Sequence, residues 1–240
     1  MKKYLIWDFD GTLGYRVEKW TGALLEIIRQ EAPECEATID QLRPYLQAGF
    51  PWHRPDSPHL TITSADQWWN ALDHIFERAF KAMGIDALRA RRMSKQVRHA
   101  YLNLESWRLF DDTLPSLELL SARGWAHVVL SNHVPELQMI IRHLKLEPYI
   151  AKVFNSAETG YEKPHPQAFR NVLEAIDDVA AVWMIGDSMD SDIVGAESVR
   201  IPGILVRKYR QDARYFCDEL SQVLDIIEGK GEENRYREVI

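Results

Sequence analysis

Short apolar runs alternate with amphipathic stretches along this chain, and the two patterns predict different elements. An apolar run of four to six residues that ends in turn residues is typical of a strand buried on both faces, as in a parallel sheet. A stretch in which apolar residues recur every three or four positions predicts a helix. The runs that predict strands are residues 4–7, 126–130, 151–154, 180–185 and 202–206.

Helical spacing fills most of the sequence between these runs. Ser64 is expected to cap one helix in a capping box with Gln67, and Gly84 stands where that helix should stop. Because strands and helices alternate after residue 108, we predict βαβ units and an α/β fold with a parallel sheet. The predicted helices are residues 17–32, 39–47, 65–83, 87–104, 113–123, 135–144, 167–176, 188–198 and 215–227.

The region between residues 15 and 108 differs from the rest of the chain. It predicts helices and contains no convincing strand, and the prolines of residues 49–59 exclude regular structure in that loop. The basic residues of the helix predicted at 87–104 are interpreted as a solvated face. We expect an α/β core formed by residues 1–14 and 109–229, a helical unit at 15–108, and a polar tail at 230–240.

Composition and charge narrow the classes of function. The 240 residues include 29 basic and 36 acidic side chains, for a net charge of −7, which argues against a nucleic-acid partner because such a partner needs a basic face. No apolar stretch approaches ~18 residues, so no membrane partner is expected, and acidic residues interrupt the first apolar run, so no signal peptide is predicted. Cys35 and Cys217 stand far apart, which favours reduced thiols and a cytoplasmic location. The oligomeric state stays open.

Two carboxylates, Asp8 and Asp10, come directly after the first predicted strand. Residues two apart on a strand point to the same side, so these charges repel each other unless a cation or a shared proton offsets them. Gly11 allows the backbone to turn sharply there. Taken alone, this motif also fits an acidic turn after an edge strand.

Further reactive side chains stand at comparable places, since Ser131 and Asp187 follow later predicted strands and Lys163 lies in the loop after another. In an open parallel sheet these strand ends meet at one crevice. Carboxylate oxygens favour Mg²⁺, a lysine and a hydroxyl can hold a phosphoryl group, and a carboxylate can attack it. The residues therefore predict a phosphoryl-transfer site.

Four motifs, in this order, resemble those of the haloacid dehalogenase (HAD) superfamily of hydrolases. The resemblance implies a Rossmann-like α/β core with a helical cap of the C1 type, as in subfamily I, inserted after the first strand and formed by residues 15–108. The four motifs are Asp8-Phe9-Asp10-Gly11-Thr12, Ser131-Asn132, Lys163-Pro164 and Gly186-Asp187-Ser188-Met189-Asp190-Ser191-Asp192.

The same resemblance implies a role for each site residue. Asp8 would be the nucleophile, and Asp10 would be the general acid and base. Ser131 would hydrogen-bond the phosphoryl group, and Lys163 would neutralise it. His133 equally fits a cap for the helix that follows it. The implied Mg²⁺ ligands are Asp8, Asp10, Asp187 and Asp192, and the residues expected to contact the substrate are Gly11, Thr12, Asn132 and His133.

Other side chains of the helical region carry less specific signals. Trp68 and Trp69 are interpreted as packed core, because large aromatics at helical spacing usually pack. His53 and His59 lack the paired spacing of metal ligands. The loop that contains Trp52 is a candidate substrate-facing loop, since functional residues concentrate on loops.

The leading functional hypothesis is a Mg²⁺-dependent phosphatase that hydrolyses a small phosphorylated metabolite through an aspartyl-phosphate. A 2-haloacid dehalogenase is the first alternative, but it needs no second acid because halide leaves without a proton, so Asp10 favours the phosphatase. A phosphomutase is another alternative, and a non-catalytic binding protein with this fold is the alternative from a different class. The physiological substrate stays open.

Overall fold

A six-stranded parallel sheet is the centre of the fold in the computed structural model, which describes residues 1–229. The tail predicted at residues 230–240 lies outside the described residues. The strands are β1 Lys2–Trp7, β2 Gly14–Arg16, β3 Trp107–Leu109, β4 Trp125–Ser131, β5 Ile150–Asn155, β6 Val179–Gly186, β7 Gly203–Val206 and β8 Phe216–Cys217. Six of them form the sheet in the order β5-β4-β1-β6-β7-β8. The predicted α/β fold is confirmed.

Helices surround this sheet and fill the region between β2 and β3. The helices are α1 Lys19–Glu31, α2 Ile39–Leu42, α3 Ala65–Ala82, α4 Ala87–Ser94, α5 Val97–Tyr101, α6 Thr113–Ala122, α7 Leu137–His143, α8 Ser156–Thr159, α9 Pro166–Ala175, α10 Gly195–Ser198 and α11 Val223–Ile227. Single 3₁₀ turns lie at Arg43–Leu46, Pro51–His53, Leu104–Ser106 and Leu220–Gln222, and a π-helical turn at Met189–Val194. Residues 17–106 are called the helical segment below. No described helix is both long and apolar enough to cross a membrane.

Strand β1 is buried on both sides, as its continuous apolar run predicts. Leu5 and Trp7 join the larger apolar cluster, whereas Tyr4 and Ile6 join a second cluster on the other face of the sheet. Successive side chains of a strand point to opposite faces, so both faces of β1 must be covered by helices. These two clusters fix β1 in the middle of the sheet.

The strand order places a topological switch point at β1. Strand β1 pairs with β4 on one side and with β6 on the other, both in parallel. Ligands of open α/β sheets bind outside the carboxyl ends of the strands at such a point. The residues that directly follow β1, β4 and β6 therefore share one crevice.

The expectation that residues 15–108 hold no strand is wrong at both ends of that region. Strands β2 and β3 pair antiparallel there as a two-stranded ribbon, with Tyr15 opposite Arg108. Each strand has three residues, too few for an alternating pattern to be recognised. The buried guanidinium of Arg16 donates hydrogen bonds to the carbonyls of Lys19 at 2.8 Å and Ala100 at 2.9 Å. The ribbon thus ties together the beginning and the end of the helical segment.

The single helix expected at residues 87–104 is in fact two helices, α4 and α5, separated by Lys95 and Gln96. Helix α4 packs against α3, whereas α5 packs against α1. The two halves face different partners, so the break is a consequence of packing that helical spacing does not reveal. The basic side chains there are also more engaged than a solvated face implies, since Lys95 pairs with Asp73 and Arg98 with Glu136.

The helix expected at residues 215–227 is also mostly wrong. Phe216 and Cys217 instead add β8 to the edge of the sheet beside β7, and only residues 223–227 form an α-helix. The side chain of Gln222 accepts hydrogen bonds from the backbone of Asp218 at 3.0 Å and Glu219 at 3.2 Å. These hydrogen bonds cap the 3₁₀ turn at Leu220–Gln222, so helical geometry begins only after Glu219.

Helix α3 begins as predicted, with one difference in its cap. Ser64 accepts a hydrogen bond from the backbone N–H of Gln67 at 3.2 Å. The Gln67 side chain accepts instead from the backbone of Thr63 at 2.8 Å, so the second half of the box is displaced by one residue. Trp68 and Trp69 are buried as expected of packed core.

Candidate active site

Asp8 lies one residue beyond the end of β1 and is buried, with 6% of its surface exposed. Its Oδ1 accepts hydrogen bonds from Lys163 Nζ at 2.8 Å and from Ser131 Oγ at 3.1 Å. Its Oδ2 accepts a longer hydrogen bond from Thr12 Oγ1 at 3.5 Å. These contacts hold the carboxylate in one orientation at the switch point of the sheet.

The turn after Asp8 requires a glycine at Gly11. Its φ is +91°, and a Cβ there would lie 2.3 Å from Oδ2 of Asp187. A side chain is excluded at this position for two reasons. L-residues rarely adopt a positive φ, and the carboxylate of Asp187 already occupies the space that a Cβ would need. Gly11 therefore lets the ends of β1 and β6 approach each other. Beside it, burial and the charge of Asp8 raise the pKa of Asp10 to about 7.

Lys163 is buried in the centre of the site, with 2% of its surface exposed. Its ammonium contacts Asp8 and also donates to Oδ1 of Asp192 at 2.5 Å. Burial lowers the pKa of this lysine, but the two carboxylates outweigh burial and raise it above its usual range. Lys163 is therefore a fixed positive charge beside the candidate nucleophile.

The loop that carries Lys163 is held by Asn132. The Asn132 side chain accepts from the Lys163 backbone N–H at 2.7 Å and donates to the Lys163 carbonyl at 2.8 Å. Asn132 was expected to contact the substrate. Its amide is instead engaged with the backbone, although the residue also lines the cavity.

Asp187 and Asp192 follow β6 within a tight turn. Asp187 comes directly after the strand, and Oδ2 of Asp192 accepts from the Ser188 backbone N–H at 3.0 Å. A Cβ on Gly186 would lie 2.2 Å from Asp192, so this carboxylate packs directly on the backbone of the strand end. The predicted fourth motif thus places both acids beside Asp8.

These three buried acids form a cluster that suits a metal ion. One oxygen from each of Asp8, Asp187 and Asp192 lies within 4.8 Å of the others. Burial raises the pKa of Asp192 to about 7 despite Lys163, and burial together with Asp8 raises the pKa of Asp187. Carboxylates crowded in this way gain from a divalent cation, and Mg²⁺ prefers such oxygen ligands. The donor set therefore fits Mg²⁺.

One contact of this cluster was not predicted from the sequence. Lys208, two residues beyond β7, forms an ion pair with Asp187 while its side chain stays 64% exposed. Lys19, at the start of α1, lines the same cavity. The position of Lys208 just after a strand is the available sequence signal, whereas nothing near Lys19 in the sequence indicates the site.

His133 is buried at the base of the cavity, against the rings of Phe9 at 5.5 Å and Trp107 at 5.4 Å. Burial lowers its pKa to about 4. Its Nε2 has no hydrogen-bond partner within residues 1–229. His133 is thus a neutral, aromatic part of the cavity wall, and Thr12, also expected near the substrate, is fully buried beneath Asp8.

The candidate site opens into a cavity of about 420 Å³ between the sheet and the helical segment. The core contributes acids and Lys163, and the helical segment contributes mainly aromatic rings. Trp52, from the loop expected to face the substrate, is among the lining residues. The cavity is lined by Asp8, Asp10, Lys19, Trp20, Leu46, Phe50, Trp52, His53, Tyr101, Asn132, His133, Val134, Lys163, Asp187, Ser188, Ser191 and Asp192.

His53 and His59 are each engaged in a hydrogen bond within the chain. Nδ1 of His53 accepts a hydrogen bond from the Phe50 backbone at 3.3 Å. His59 Nε2 donates to the buried carboxylate of Glu162 at 3.0 Å, next to Lys163 in the chain. His59 therefore links the helical segment to the loop that carries Lys163.

Comparison with known proteins identifies the family to which a chain with this geometry belongs. The model of the haloacid dehalogenase-like hydrolase family matches residues 2–200. The chain therefore belongs to the haloacid dehalogenase-like hydrolases, and the predicted membership of that superfamily is confirmed.

Two curated relatives match part of this chain. The chain is 33% identical to ribulose-1,5-bisphosphate 5-phosphatase of Halopiger xanaduensis over 42% of this chain and 44% of that protein. It is 30% identical to glyceraldehyde 3-phosphate phosphatase of Pyrococcus furiosus over 40% of this chain and 44% of that protein. The match thus spans less than half the length of either relative.

Among solved structures, L-2-haloacid dehalogenase from Xanthobacter autotrophicus shares the fold. The two superpose with a TM-score of 0.67 and 16% identity over 96% of this chain and 100% of that one. At this identity the likeness concerns the fold alone, so the choice between activities depends on the site.

Proposed function

We propose that this protein is a Mg²⁺-dependent phosphatase that hydrolyses a small phosphorylated metabolite through an aspartyl-phosphate on Asp8. The observation that carries the proposal is the contact of Asp8 with both Lys163 and Ser131, next to the acids Asp187 and Asp192. This arrangement presents a carboxylate and a fixed positive charge to one phosphoryl group. The phosphatase names of the two curated relatives support the same reaction class.

In the first step, a carboxylate oxygen of Asp8 attacks phosphorus while the bond from phosphorus to the leaving oxygen breaks. The Lys163 ammonium, 2.8 Å from Asp8, offsets the negative charge of the phosphoryl oxygens, and the Ser131 hydroxyl donates a hydrogen bond. Protonated Asp10 gives its proton to the leaving oxygen. The leaving group departs as an alcohol, and the phosphoryl group stays on Asp8.

In the second step, water attacks the same phosphorus atom. Asp10 now takes a proton from the water, and the bond from phosphorus to Asp8 breaks. Inorganic phosphate leaves, and Asp8 returns to its carboxylate form. Asp10 is thus protonated again, ready for the next substrate.

Asp8, Asp187, Asp192 and the backbone carbonyl of Asp10 would hold Mg²⁺, which supplies positive charge for the phosphoryl oxygens when bound. Lys208 would have to share Asp187 with the metal, since it already forms an ion pair with that carboxylate. Its exposed, flexible side chain can move away at little cost.

The helical segment supports a role as a cap over this site. We propose domain boundaries near residues 14 and 108, which fall within the ribbon of β2 and β3. A hinge at this ribbon would let the segment open for the substrate and close to exclude water. The unbridged cysteines, Cys35 and Cys217, suit the proposed cytoplasmic location.

The direct test is hydrolysis of p-nitrophenyl phosphate by the purified protein. We expect activity with Mg²⁺, loss of activity with EDTA, and recovery on renewed addition of Mg²⁺. The Asp8→Asn variant should lose activity by on the order of 10⁴-fold or more, because the nucleophile is gone. Its circular dichroism spectrum should match that of the unmodified protein.

Two results would contradict the proposal. Normal turnover by Asp8→Asn would exclude an aspartyl-phosphate on that residue. Halide release from 2-chloropropionate, with no hydrolysis of any phosphate ester, would instead identify a dehalogenase.

A further inference from the structure

The cavity above Asp8 has a second face that the phosphoryl chemistry does not use. Four aromatic side chains of the helical segment line it, and we call them the aromatic wall. The wall consists of Trp20 in α1, Phe50 and Trp52 around a 3₁₀ turn, and Tyr101 at the end of α5.

The rings of the wall are held by contacts with one another. Trp20 stacks on Tyr101 with ring centroids 3.8 Å apart and an angle of 17° between the planes. Phe50 stacks on Trp52 at 4.7 Å and 9°, and Trp20 contacts Phe50 at 4.8 Å. Phe50 and Tyr101 are each only 2% exposed, so the apolar surface left for a ligand comes mainly from the half-buried Trp20 and Trp52. Their neighbours hold these two rings in fixed positions, with little entropy to lose on binding.

Two polar side chains near the wall are engaged elsewhere, whereas Nε2 of His133 has no partner among residues 1–229. Both amide atoms of Asn132 bind the backbone of Lys163, and Nδ1 of His53 accepts from the Phe50 backbone. Leu46 and Val134 add further apolar surface. A polyol needs a hydrogen-bond partner for most of its hydroxyls, and a buried hydroxyl without one costs binding energy. An apolar ring has no such requirement.

We propose that the leaving group of the preferred substrate carries a flat, apolar aromatic ring, which the aromatic wall binds by stacking. This inference rests on the proposed phosphatase function, since Asp8 and Lys163 define where the phosphoryl group lies. The cavity of about 420 Å³ falls within the range of small-molecule sites and has room for a phosphate with one ring. The wall thus determines specificity, while the core performs the reaction.

The test compares two phosphate esters of primary alcohols, 2-phenylethyl phosphate and glycerol 1-phosphate. Both leaving groups are primary alcohols that need the same protonation by Asp10, so intrinsic reactivity is similar and binding decides the difference. With the Mg²⁺-loaded protein, we expect kcat/KM to be at least about tenfold higher for 2-phenylethyl phosphate. Equal values, or a preference for glycerol 1-phosphate, would overturn the inference.

Trp52→Leu is the informative variant, because Trp20 contacts too many other rings to be replaced without repacking. We expect Trp52→Leu to raise KM for 2-phenylethyl phosphate by about tenfold with little change in kcat. KM for glycerol 1-phosphate should stay within about twofold, and Trp52→Phe should restore most of the preference. A Trp52→Leu protein that keeps the full preference would contradict the stacking role.

Trp183→Leu serves as the matched control. Trp183 is a half-buried tryptophan of β6 that packs on Tyr215, and it does not line the cavity. This variant should keep the preference for the aromatic ester. A loss of preference equal to that in Trp52→Leu would show that general destabilisation, rather than the wall, is responsible.

A binding measurement separates this inference from the proposed function. Benzylphosphonate and 2-hydroxyethylphosphonate cannot be hydrolysed, and calorimetry can compare their affinities for the Mg²⁺-loaded protein. Tighter binding of benzylphosphonate without turnover of any ester would support the wall and exclude the phosphatase. Turnover of esters with equal binding of the two phosphonates would support the phosphatase and overturn the inference.

Discussion

The two faces of the cavity are built in opposite ways. On the core side, each reactive group lies at the end of a strand or in the loop or turn that follows, and buried charges hold one another, as Lys163 does between Asp8 and Asp192. On the side of the helical segment, Trp20 and Tyr101 come from its two ends and meet only by stacking. The backbone positions the charges, whereas side-chain packing positions the rings.

This difference assigns separate tasks to the two faces. Charges placed by strands keep a fixed geometry, which a chemical step requires. Rings placed by packing can be exchanged for others of similar volume without loss of fold, which suits a surface that selects substrates. We therefore expect changes on the core side to affect every substrate and changes in the helical segment to affect only some.

The largest effect is expected for Asp10→Asn on the core side. The variant cannot protonate the leaving group, so kcat should fall by about 10²- to 10⁴-fold for alkyl phosphates. The value of kcat/KM for p-nitrophenyl phosphate, which reports the first step alone, should be affected less, because p-nitrophenolate leaves without a proton. The measurements are kcat and kcat/KM for both substrates with Mg²⁺. An equal rate of the variant and the unmodified protein on glycerol 1-phosphate would rule out the acid role.

The next largest effect is expected on stability, when the loss of an ion pair in the core is compared with the loss of one in the helical segment. Lys163→Met leaves two buried carboxylates without their cation and should lower the free energy of unfolding by about 3–5 kcal/mol. The control, Lys95→Met, removes an exposed lysine that pairs with Asp73, and should cost less than about 1 kcal/mol. Urea denaturation at pH 7 measures the free energy of unfolding of both variants. Similar losses in the two variants would show that the buried and the exposed ion pairs contribute equally to stability.

A smaller effect concerns pH and the core residue His127. Trp7 Nε1 donates to its Nδ1 at 2.9 Å, so Nε2 carries the proton and donates to Ser121 Oγ at 3.0 Å. Burial lowers the pKa of His127 from 6.5 to about 4. Between these values the unfolded chain binds more protons than the folded protein, so this residue lowers stability as pH falls from 6.5 to 4, by about 3 kcal/mol in total.

His127→Gln isolates this contribution. Glutamine can accept from Trp7 and donate to Ser121 without titrating, so stability should depend on pH differently in the two proteins. The raised pKa values of Asp10 and Asp192 instead increase stability as pH falls. Both proteins share this contribution, so it cancels when their free energies of unfolding are subtracted. Urea denaturation at pH 4.5, 5.5 and 7 gives that difference. If the free energy of unfolding changed with pH by the same amount in both proteins, His127 would not contribute to the pH dependence between pH 4.5 and 7.

The smallest effect lies in the helical segment. Ser64→Ala removes the side chain that accepts from the backbone N–H of Gln67 at the start of α3. We expect a loss of about 1 kcal/mol in the free energy of unfolding and no change in kcat for p-nitrophenyl phosphate. A fall in kcat beyond about threefold would show that the start of α3 is coupled to the chemistry.

Much of the core follows from local sequence patterns, but three expectations failed for definite reasons. The strands at β1, β4, β5, β6 and β7 agree with the apolar runs, within a few residues at their ends. The ribbon of β2 and β3 and the two residues of β8 are too short to show periodicity. The break between α4 and α5 depends on which helices lie opposite each half, which spacing within one helix does not encode.

By itself, the sequence determined the α/β class, the family, and the acids and lysine at the strand ends. Those follow from local rules, because the carboxyl ends of parallel strands meet wherever the strands lie in the chain. Only the tertiary structure decided the contact of Lys208 with Asp187 and the aromatic wall above Asp8. Contacts of this kind depend on side-chain packing between distant segments, for which no periodicity exists in the sequence.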